Sequence, residues 1–492
     1  MSSGSTLSIR WTRAASTAGS SLVPVWRSDR CRTRVGTGEA GYTSYGGGRV
    51  DRDLRRPLPR CTGGRRSAQA APGGAADDRG AGCARPLAAP LRLAQGLRHR
   101  RLRRRHLRSR LHPRRPRVRP LAQGLARSLA VRDADALAAS CRLSVSGLGR
   151  QTRDPSSVLA HLAERVSERT PSDRYGGGEL VERLERRVAE LLGKNAALFF
   201  PTGTMAQQIA LRIWADRARL STVAFHARCH LERHEHKGYE ELHGLRGLLL
   251  GAPDRLLTLD DLEAIAEPVA ALLLELPQRE LGGRLPEWDE LVAQTEWARR
   301  RDVALHLDGA RLWLCPPYYG RGLDEIAALF DTVYVSLYKD LGAPGGCLLA
   351  GPADVIDEAR VWRIRHGGRV FSVWPYVLAA ERGLDEVLPR MVEYFGRARE
   401  LAAGLAALDD LDVVPDPPQT PFLHLYLRRN GEKLREAALD IAEERGVWLG
   451  ERFAVTPLPA VHMLELPIGA STLELPVAEI VALFGELLER SA

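Results

Sequence analysis

Lys339 is one of only four lysines in the 492 residues of this chain. It lies in Ser336-Leu337-Tyr338-Lys339-Asp340-Leu341-Gly342-Ala343-Pro344, directly after the strand-like run Asp331-Thr332-Val333-Tyr334-Val335. Upstream, the apolar run Val303-Ala304-Leu305-His306-Leu307 ends in Asp308-Gly309-Ala310-Arg311. A lysine and an acid-plus-arginine pair at the ends of successive strands form the set that pyridoxal 5'-phosphate chemistry requires. The lysine holds the cofactor as a Schiff base and the acid keeps its ring nitrogen protonated; the arginine can bond the ring's phenolic oxygen. A carboxylate carried to a buried strand end is costly without a cationic partner, and a pyridinium nitrogen is a fitting one for Asp308.

A third segment, Pro201-Thr202-Gly203-Thr204, follows the buried-strand pattern Ala196-Ala197-Leu198-Phe199-Phe200 and precedes a helical pattern through Met205, Ile209, Leu211 and Trp214. Here Gly203 lets the backbone approach an anion closely. Thr204 is expected to cap the helix and to offer a hydroxyl, and the helix N-terminus favours a phosphate. By itself this turn is common; the lysine and acid segments give it meaning.

The elements that must position these residues are legible from about residue 150. Leu180, Val181, Leu184, Val188, Leu191 and Leu192 recur at helical spacing up to a stop at Gly193. Further strands are expected at 271–276, 303–307, 332–337 and 346–350, with helices such as 288–301 and 323–329 between them. Alternation of this kind predicts an α/β fold: a mostly parallel sheet covered by helices on both faces, with ligands gathering at the carboxyl ends of the strands.

Composition divides the chain. Residues 1–130 contain 29 Arg, no Lys and 6 Asp or Glu, a net of +23. The whole chain is only +10, so residues 131–492 carry −13 and the basic character belongs to the first quarter. Such a segment buries too little apolar surface to offset chain entropy, and disorder is expected. Three origins are open: a transit peptide, a basic arm for nucleic acid, or a spurious extension from a wrongly chosen start codon in a GC-rich frame. The third is favoured. Seven scattered cysteines without C-x-x-C spacing argue against a disulfide framework or a cysteine zinc site. No run reaches the ~18 apolar residues of a membrane span, and a cytoplasmic protein is expected.

The segments Arg174-Tyr175-Gly176, Pro201-Thr202-Gly203-Thr204-Met205-Ala206, His306-Leu307-Asp308-Gly309-Ala310-Arg311-Leu312-Trp313 and Ser336 to Pro344 together resemble the low-specificity threonine aldolases and related aromatic amino acid β-eliminating lyases. The resemblance covers roughly residues 140–480. It implies a fold type I pyridoxal-phosphate enzyme, with a large α/β domain over 131–374 and a smaller α+β domain over 375–492. It also implies a homodimer or homotetramer acting on a small amino acid. In that resemblance Lys339 carries the cofactor, Asp308 meets the pyridine nitrogen and Arg311 the phenolic oxygen. Gly203 and Thr204 hold the phosphate, His230 stacks on the ring, Tyr175 lines the pocket, and Arg369 reaches a neighbouring subunit's phosphate.

The chain departs from the aldolase pattern at the segment Glu275-Leu276-Pro277-Gln278-Arg279-Glu280-Leu281-Gly282-Gly283. Gln278 stands where those aldolases carry a histidine facing the substrate, and an amide is no general base. The C-terminal arginine for the substrate carboxylate is also missing, with Val461-His462-Met463 in its place. Carbon–carbon cleavage of a β-hydroxy amino acid is the nearest activity. β-Elimination or racemisation using Lys339 alone, and cofactor binding without turnover, remain alternatives. The run His226, His230, His234, His236 and His243 offers a rival metal reading, since His230 and His234 share helical spacing, but it lacks a third ligand and the zinc-protease glutamate.

Overall fold

A computed structural model describes residues 133–147 and 154–492, together with a backbone pairing of Trp11–Arg13 against Leu22–Pro24. The chain divides into one unit of residues 1–28 and 129–492 and another of residues 29–128. Apart from that short pairing, the expectations for residues 1–130 lie outside the described residues.

Seven strands build the central sheet: β1 (Ala196–Phe200), β2 (Thr222–His226), β3 (Arg246–Leu250), β4 (Ala271–Glu275), β5 (Ala304–Gly309), β6 (Thr332–Ser336) and β7 (Cys347–Gly351). Their spatial order is β1-β7-β6-β5-β4-β2-β3. Pairs β6·β5, β5·β4, β4·β2 and β2·β3 are parallel, whereas β7 runs antiparallel to both β1 and β6. This is the doubly covered, mostly parallel sheet that the alternating pattern predicts. The inner strands are mostly apolar because both their faces are buried, whereas the edge strand β3 begins at the exposed Arg246 and leaves Leu249 46% exposed. On β4, Leu272 and Leu274 enter one core cluster and Ala271 and Leu273 another.

Helix α1 (Glu179–Leu191) sends Leu180, Leu184 and Val188 into the first face. Helix α2 (Gly203–Ala218) covers the other with Ala206, Ile209 and Ile213. The sequence placed several ends one or two residues away; β5, for example, extends to Gly309 and so includes Asp308 itself as its last-but-one residue.

A second, antiparallel sheet follows in the order β8-β9-β11-β10, with β8 Leu411–Val414, β9 Phe422–Leu427, β10 Ala454–Val455 and β11 His462–Pro467. Helices Met391–Leu405, Gly431–Arg445 and Val477–Arg490 pack with it. The segment Leu143–Ser144 pairs in parallel with Val447–Trp448, tying it to this part of the chain. None of the helices among the described residues is long and apolar enough to cross a membrane.

One buried carboxylate outside the expected motifs fixes the entry loop. Asp173 accepts from the amides of Val373 and Trp374, both at 2.8 Å, and from the Ser372 hydroxyl at 2.9 Å through Oδ1. Its Oδ2 accepts from Gly176 N–H at 3.2 Å. Replacing it by alanine strands three buried or half-buried amides. Asp173→Ala is therefore expected to lower stability by about 2–4 kcal/mol in denaturant titration. It should also loosen the Tyr175 turn, whose φ of 54° is held by this loop.

Candidate active site

The carboxyl ends of β1, β4, β5 and β6 converge. Register places Glu275 of β4 beside Asp308 of β5, and Asp308 beside Tyr334 of β6. Lys339 follows β6 by three residues, half-buried, with Nζ 5.9 Å from the Tyr338 ring centroid. Asp308 is 1% exposed, and its Oδ1 accepts the Ala310 amide at 3.1 Å. The amide of Gln207, reaching from α2, also bonds its carboxyl. Among the described residues no cation lies within ion-pair distance of it. Burial pushes the Asp308 carboxyl above the ordinary range, against the pull of Lys339 and His230. The Lys339 ammonium is pulled down, by burial first and by Arg311 second, with Asp308 and Glu275 opposing. A lysine shifted this way is nearer to the neutral amine that attacks a carbonyl.

The turn after β1 differs from its sequence reading in one respect. The helix cap is Thr202, whose hydroxyl accepts from Met205 N–H at 3.4 Å. Thr204 is the second helical residue and exposed. The expected cap was displaced because the helix starts at Gly203 itself, so the N-cap falls one residue before it. The hydroxyl of Thr204 is thereby left for another use. The amides of Gly203 and Thr204 head a 16-residue helix, where an anion meets N–H donors and the positive end of the dipole. Gly203 is buried against Tyr334, and a Cβ there would overlap the Tyr334 ring and hydroxyl. Gly203→Ala should push the turn off β6, cost about 1–3 kcal/mol of stability and weaken phosphate-ester binding, as read by titration of the cofactor-free protein.

His230 opens a short helix, α3 (His230–His234), and its Nδ1 bonds Glu235 Oε1 at 3.0 Å. Glu235 is itself fixed by Gln208 of α2 at 3.1 Å. This hydrogen bond orients the imidazole, whose ring lies 5.0 Å from that of His234. His234 bonds Glu280 at 2.8 Å instead, and among the described residues no group of three His, Cys, Asp or Glu has the arrangement of a metal site.

Arg311 forms an ion pair with Asp340 at 2.5 Å and lies 4.6 Å over the ring of Phe422 from β9. Asp340 was not singled out in the sequence, although it is the neighbour of Lys339. Its Oδ2 and Arg311 Nε are buried without protein partners, so the pair holds Arg311 in place with hydrogen-bonding capacity to spare.

Gln278 is 4% exposed, and its Nε2 donates to Glu275 Oε2 at 3.1 Å and to the Arg228 carbonyl at 3.4 Å. Glu275, also missed in the sequence reading, takes a second hydrogen bond from Arg279 N–H on Oε1 at 3.1 Å. Burial and then the neighbouring Asp308 push its carboxyl up to about 8, against Arg279 N–H and Lys339. The sequence signal was present, an acid closing an apolar strand, but only the sheet order makes it a neighbour of Asp308.

Tyr175 and Arg369 come together in a separate cluster. The Arg369 guanidinium lies 5.2 Å from the Tyr175 ring, which packs edge-on to Phe371 at 5.3 Å. Tyr175 and Phe371 are 47% and 60% exposed. No hydrogen bond, ion pair or ring contact joins these side chains to Lys339, Asp308 or Arg311 among the described residues.

Comparison with known proteins gives this geometry a lineage. The beta-eliminating lyase family matches residues 169–428. The low-specificity L-threonine aldolase 1 of Arabidopsis thaliana is 30% identical over 291 residues, 56% of this chain and 80% of that protein. A candidate L-allo-threonine aldolase of Listeria monocytogenes superimposes with a TM-score of 0.68 at 38% identity, covering 72% of this chain and 98% of its own. A candidate aromatic amino acid beta-eliminating lyase/threonine aldolase of Exiguobacterium gives the same score and identity over 72% and 99%. The chain belongs to the beta-eliminating lyase family.

Proposed function

We propose that the protein is a pyridoxal-phosphate-dependent lyase that cleaves the Cα–Cβ bond of a small β-hydroxy amino acid, giving glycine and an aldehyde. The observation that carries the reading is the buried Asp308 carboxylate, without an ion-pair partner among the described residues, at a strand end beside a lysine whose ammonium is destabilised. A pyridinium nitrogen would answer the charge of Asp308, and the cofactor aldehyde would meet the amine of Lys339. The residues present fit the group in its other parts too. The Gly203–Thr204 amides with the Thr204 hydroxyl suit the phosphate, and the Arg311–Asp340 pair retains capacity for the phenolic oxygen. His230, oriented by Glu235, suits a ring face.

When bound, pyridoxal phosphate supplies an electron-withdrawing ring that stabilises negative charge on the substrate α-carbon. The chain's own residues do the rest. Asp308 keeps the ring nitrogen charged, and Gln207 and Ala310 N–H hold the carboxylate to that task. Lys339 would hold the cofactor aldehyde, its destabilised ammonium favouring the neutral amine that does so. Arg311 is kept extended by Asp340 and Phe422. The Tyr175–Arg369–Phe371 cluster, exposed on one subunit, suits the edge of a neighbouring copy's site in a homodimer or homotetramer. A cytoplasmic location accords with this chemistry.

The test is incubation of the cofactor-loaded protein with L-threonine, L-allo-threonine and L-serine, with glycine and carbonyl product measured together. Equimolar glycine and aldehyde is the expected result. Pyruvate or 2-oxobutanoate with ammonia would replace cleavage by β-elimination, and a cofactor band with no product would remove turnover altogether.

A further inference from the structure

Within the proposed lyase reading, one chemical task has no occupant. Aldol cleavage needs a group that takes the proton of the β-hydroxyl, and Gln278 cannot titrate. Its amide is turned instead onto a carboxylate. Glu275 ends β4 in register with Asp308, so the two side chains leave the same face of the sheet at the same level. One carboxylate oxygen is fixed by the Gln278 amide and the other by the Arg279 backbone. The groups facing it are Asp308 from β5, Lys339 from the segment after β6, Glu280 from its own turn and the Cys229 thiol before α3. Two acids and one lysine at the head of a buried sheet cannot all be charged at low cost. In the lyase reading Asp308 would face the ring nitrogen, which leaves Glu275 to exchange a proton.

We infer that Glu275 is the acid–base residue of the cleavage step, held in place by Gln278, and that it serves where aldolases of similar sequence carry a histidine. The step balances without any further reagent. The β-hydroxyl proton passes to the Glu275 carboxylate. The O–H bonding pair becomes the second bond of the departing aldehyde's carbonyl. The Cα–Cβ bond breaks, leaving its pair on the α-carbon. The protonated Glu275 then returns the proton to that carbon on the same face, completing glycine and regenerating the carboxylate.

The protonation behaviour follows from the surroundings. In the cofactor-free protein burial and then Asp308 push the Glu275 carboxyl up to about 8, and the burial that contributes most persists when the site is filled, so the carboxylate form, the proton acceptor, gains population as pH rises. Activity should therefore climb on an acidic limb governed by Glu275.

Glu275→Gln tests this. The variant should still take up pyridoxal phosphate, shown by its visible band, while cleavage falls roughly 10²- to 10⁴-fold and the acidic limb disappears. In the cofactor-free proteins, carbon-13 NMR of labelled glutamate carboxyls should show one group titrating near mildly alkaline pH in the wild type and absent from the variant. Gln278→Leu keeps Glu275 but removes a donor to its charged form, so the acidic limb should move to higher pH. Equal turnover and an unchanged limb in Glu275→Gln would overturn the inference. So would an unmoved limb in Gln278→Leu, which decides the matter if Glu275→Gln does not fold. A wild type that binds cofactor and cleaves nothing fails differently: it overturns the aldolase reading and the cleavage role of Glu275 with it.

Discussion

Lys339→Ala is expected to lower turnover on any amino-acid substrate by roughly 10³-fold or more, since the amine that would attach the cofactor covalently is removed. Folding should survive the change. Lys339 makes no ion pair among the described residues, its ammonium is disfavoured by burial and by Arg311, and its neighbours Asp340 and Tyr338 are held independently. Thermal unfolding of the cofactor-free protein should therefore be unchanged or slightly higher. Restoring part of the activity with a small exogenous amine would separate a chemical role from a structural one. Near-normal turnover in a well-folded Lys339→Ala would mean that the chemistry resides elsewhere.

Asp308→Asn should divide stability from function. In the cofactor-free protein the folded-state carboxyl is held above its ordinary 3.8 by burial. In strong acid the carboxyl is protonated in both folded and unfolded chains and contributes nothing. As pH rises, the unfolded chain releases the proton first, so the wild type loses stability until pH passes the folded value. The asparagine variant escapes that loss and, after a flip of the Gln207 amide, can donate to Gln207 Oε1, which has no partner in the wild type. It is expected to be more stable by about 1–3 kcal/mol near neutral pH, with the advantage vanishing in acid. Cofactor affinity should fall, and turnover should drop on the order of 10²–10³-fold because the ring nitrogen loses its counter-charge. Urea unfolding across pH, paired with activity of the loaded proteins, reads both. A variant that lost stability at neutral pH would mean that Asp308 already has its partner within the chain.

The sequence and the structure agree most closely where chemistry and strand pattern coincide. Asp308 and Lys339 could be read at or just after strand ends because β5 and β6 are buried, largely apolar runs, and a charged residue after such a run is carried to the rim of the sheet. The Thr204 cap shifted to Thr202 because helix ends depend on which residue first turns helical, a choice that apolar spacing does not report. Glu275, Gln207 and Asp340 escaped notice for another reason. Their importance comes from tertiary neighbours: Glu275 needs the β4–β5 pairing, Gln207 needs α2 to cross the sheet face, and Asp340 needs Arg311 brought back to it. Asp173 likewise acts on residues 372–374, a partnership that separation along the chain conceals. His230 was legible as a ring-stacking candidate only through family resemblance, whereas its orientation by Glu235 and Gln208 belongs to the packing.

The most direct measurement reduces the cofactor-loaded full chain with borohydride and maps the modified peptide by mass spectrometry. The chain has only four lysines, Lys194, Lys237, Lys339 and Lys433. Lys194 bonds the Phe330 carbonyl, Lys237 lies within ion-pair reach of Glu232, and Lys433 bonds the carbonyl of Ala492. A single pyridoxyl group on Lys339, absent when L-threonine is added before reduction, is the expected result. A label on another lysine, or none on a protein that stays folded and loaded, would contradict the assignment of this cleft as the catalytic centre.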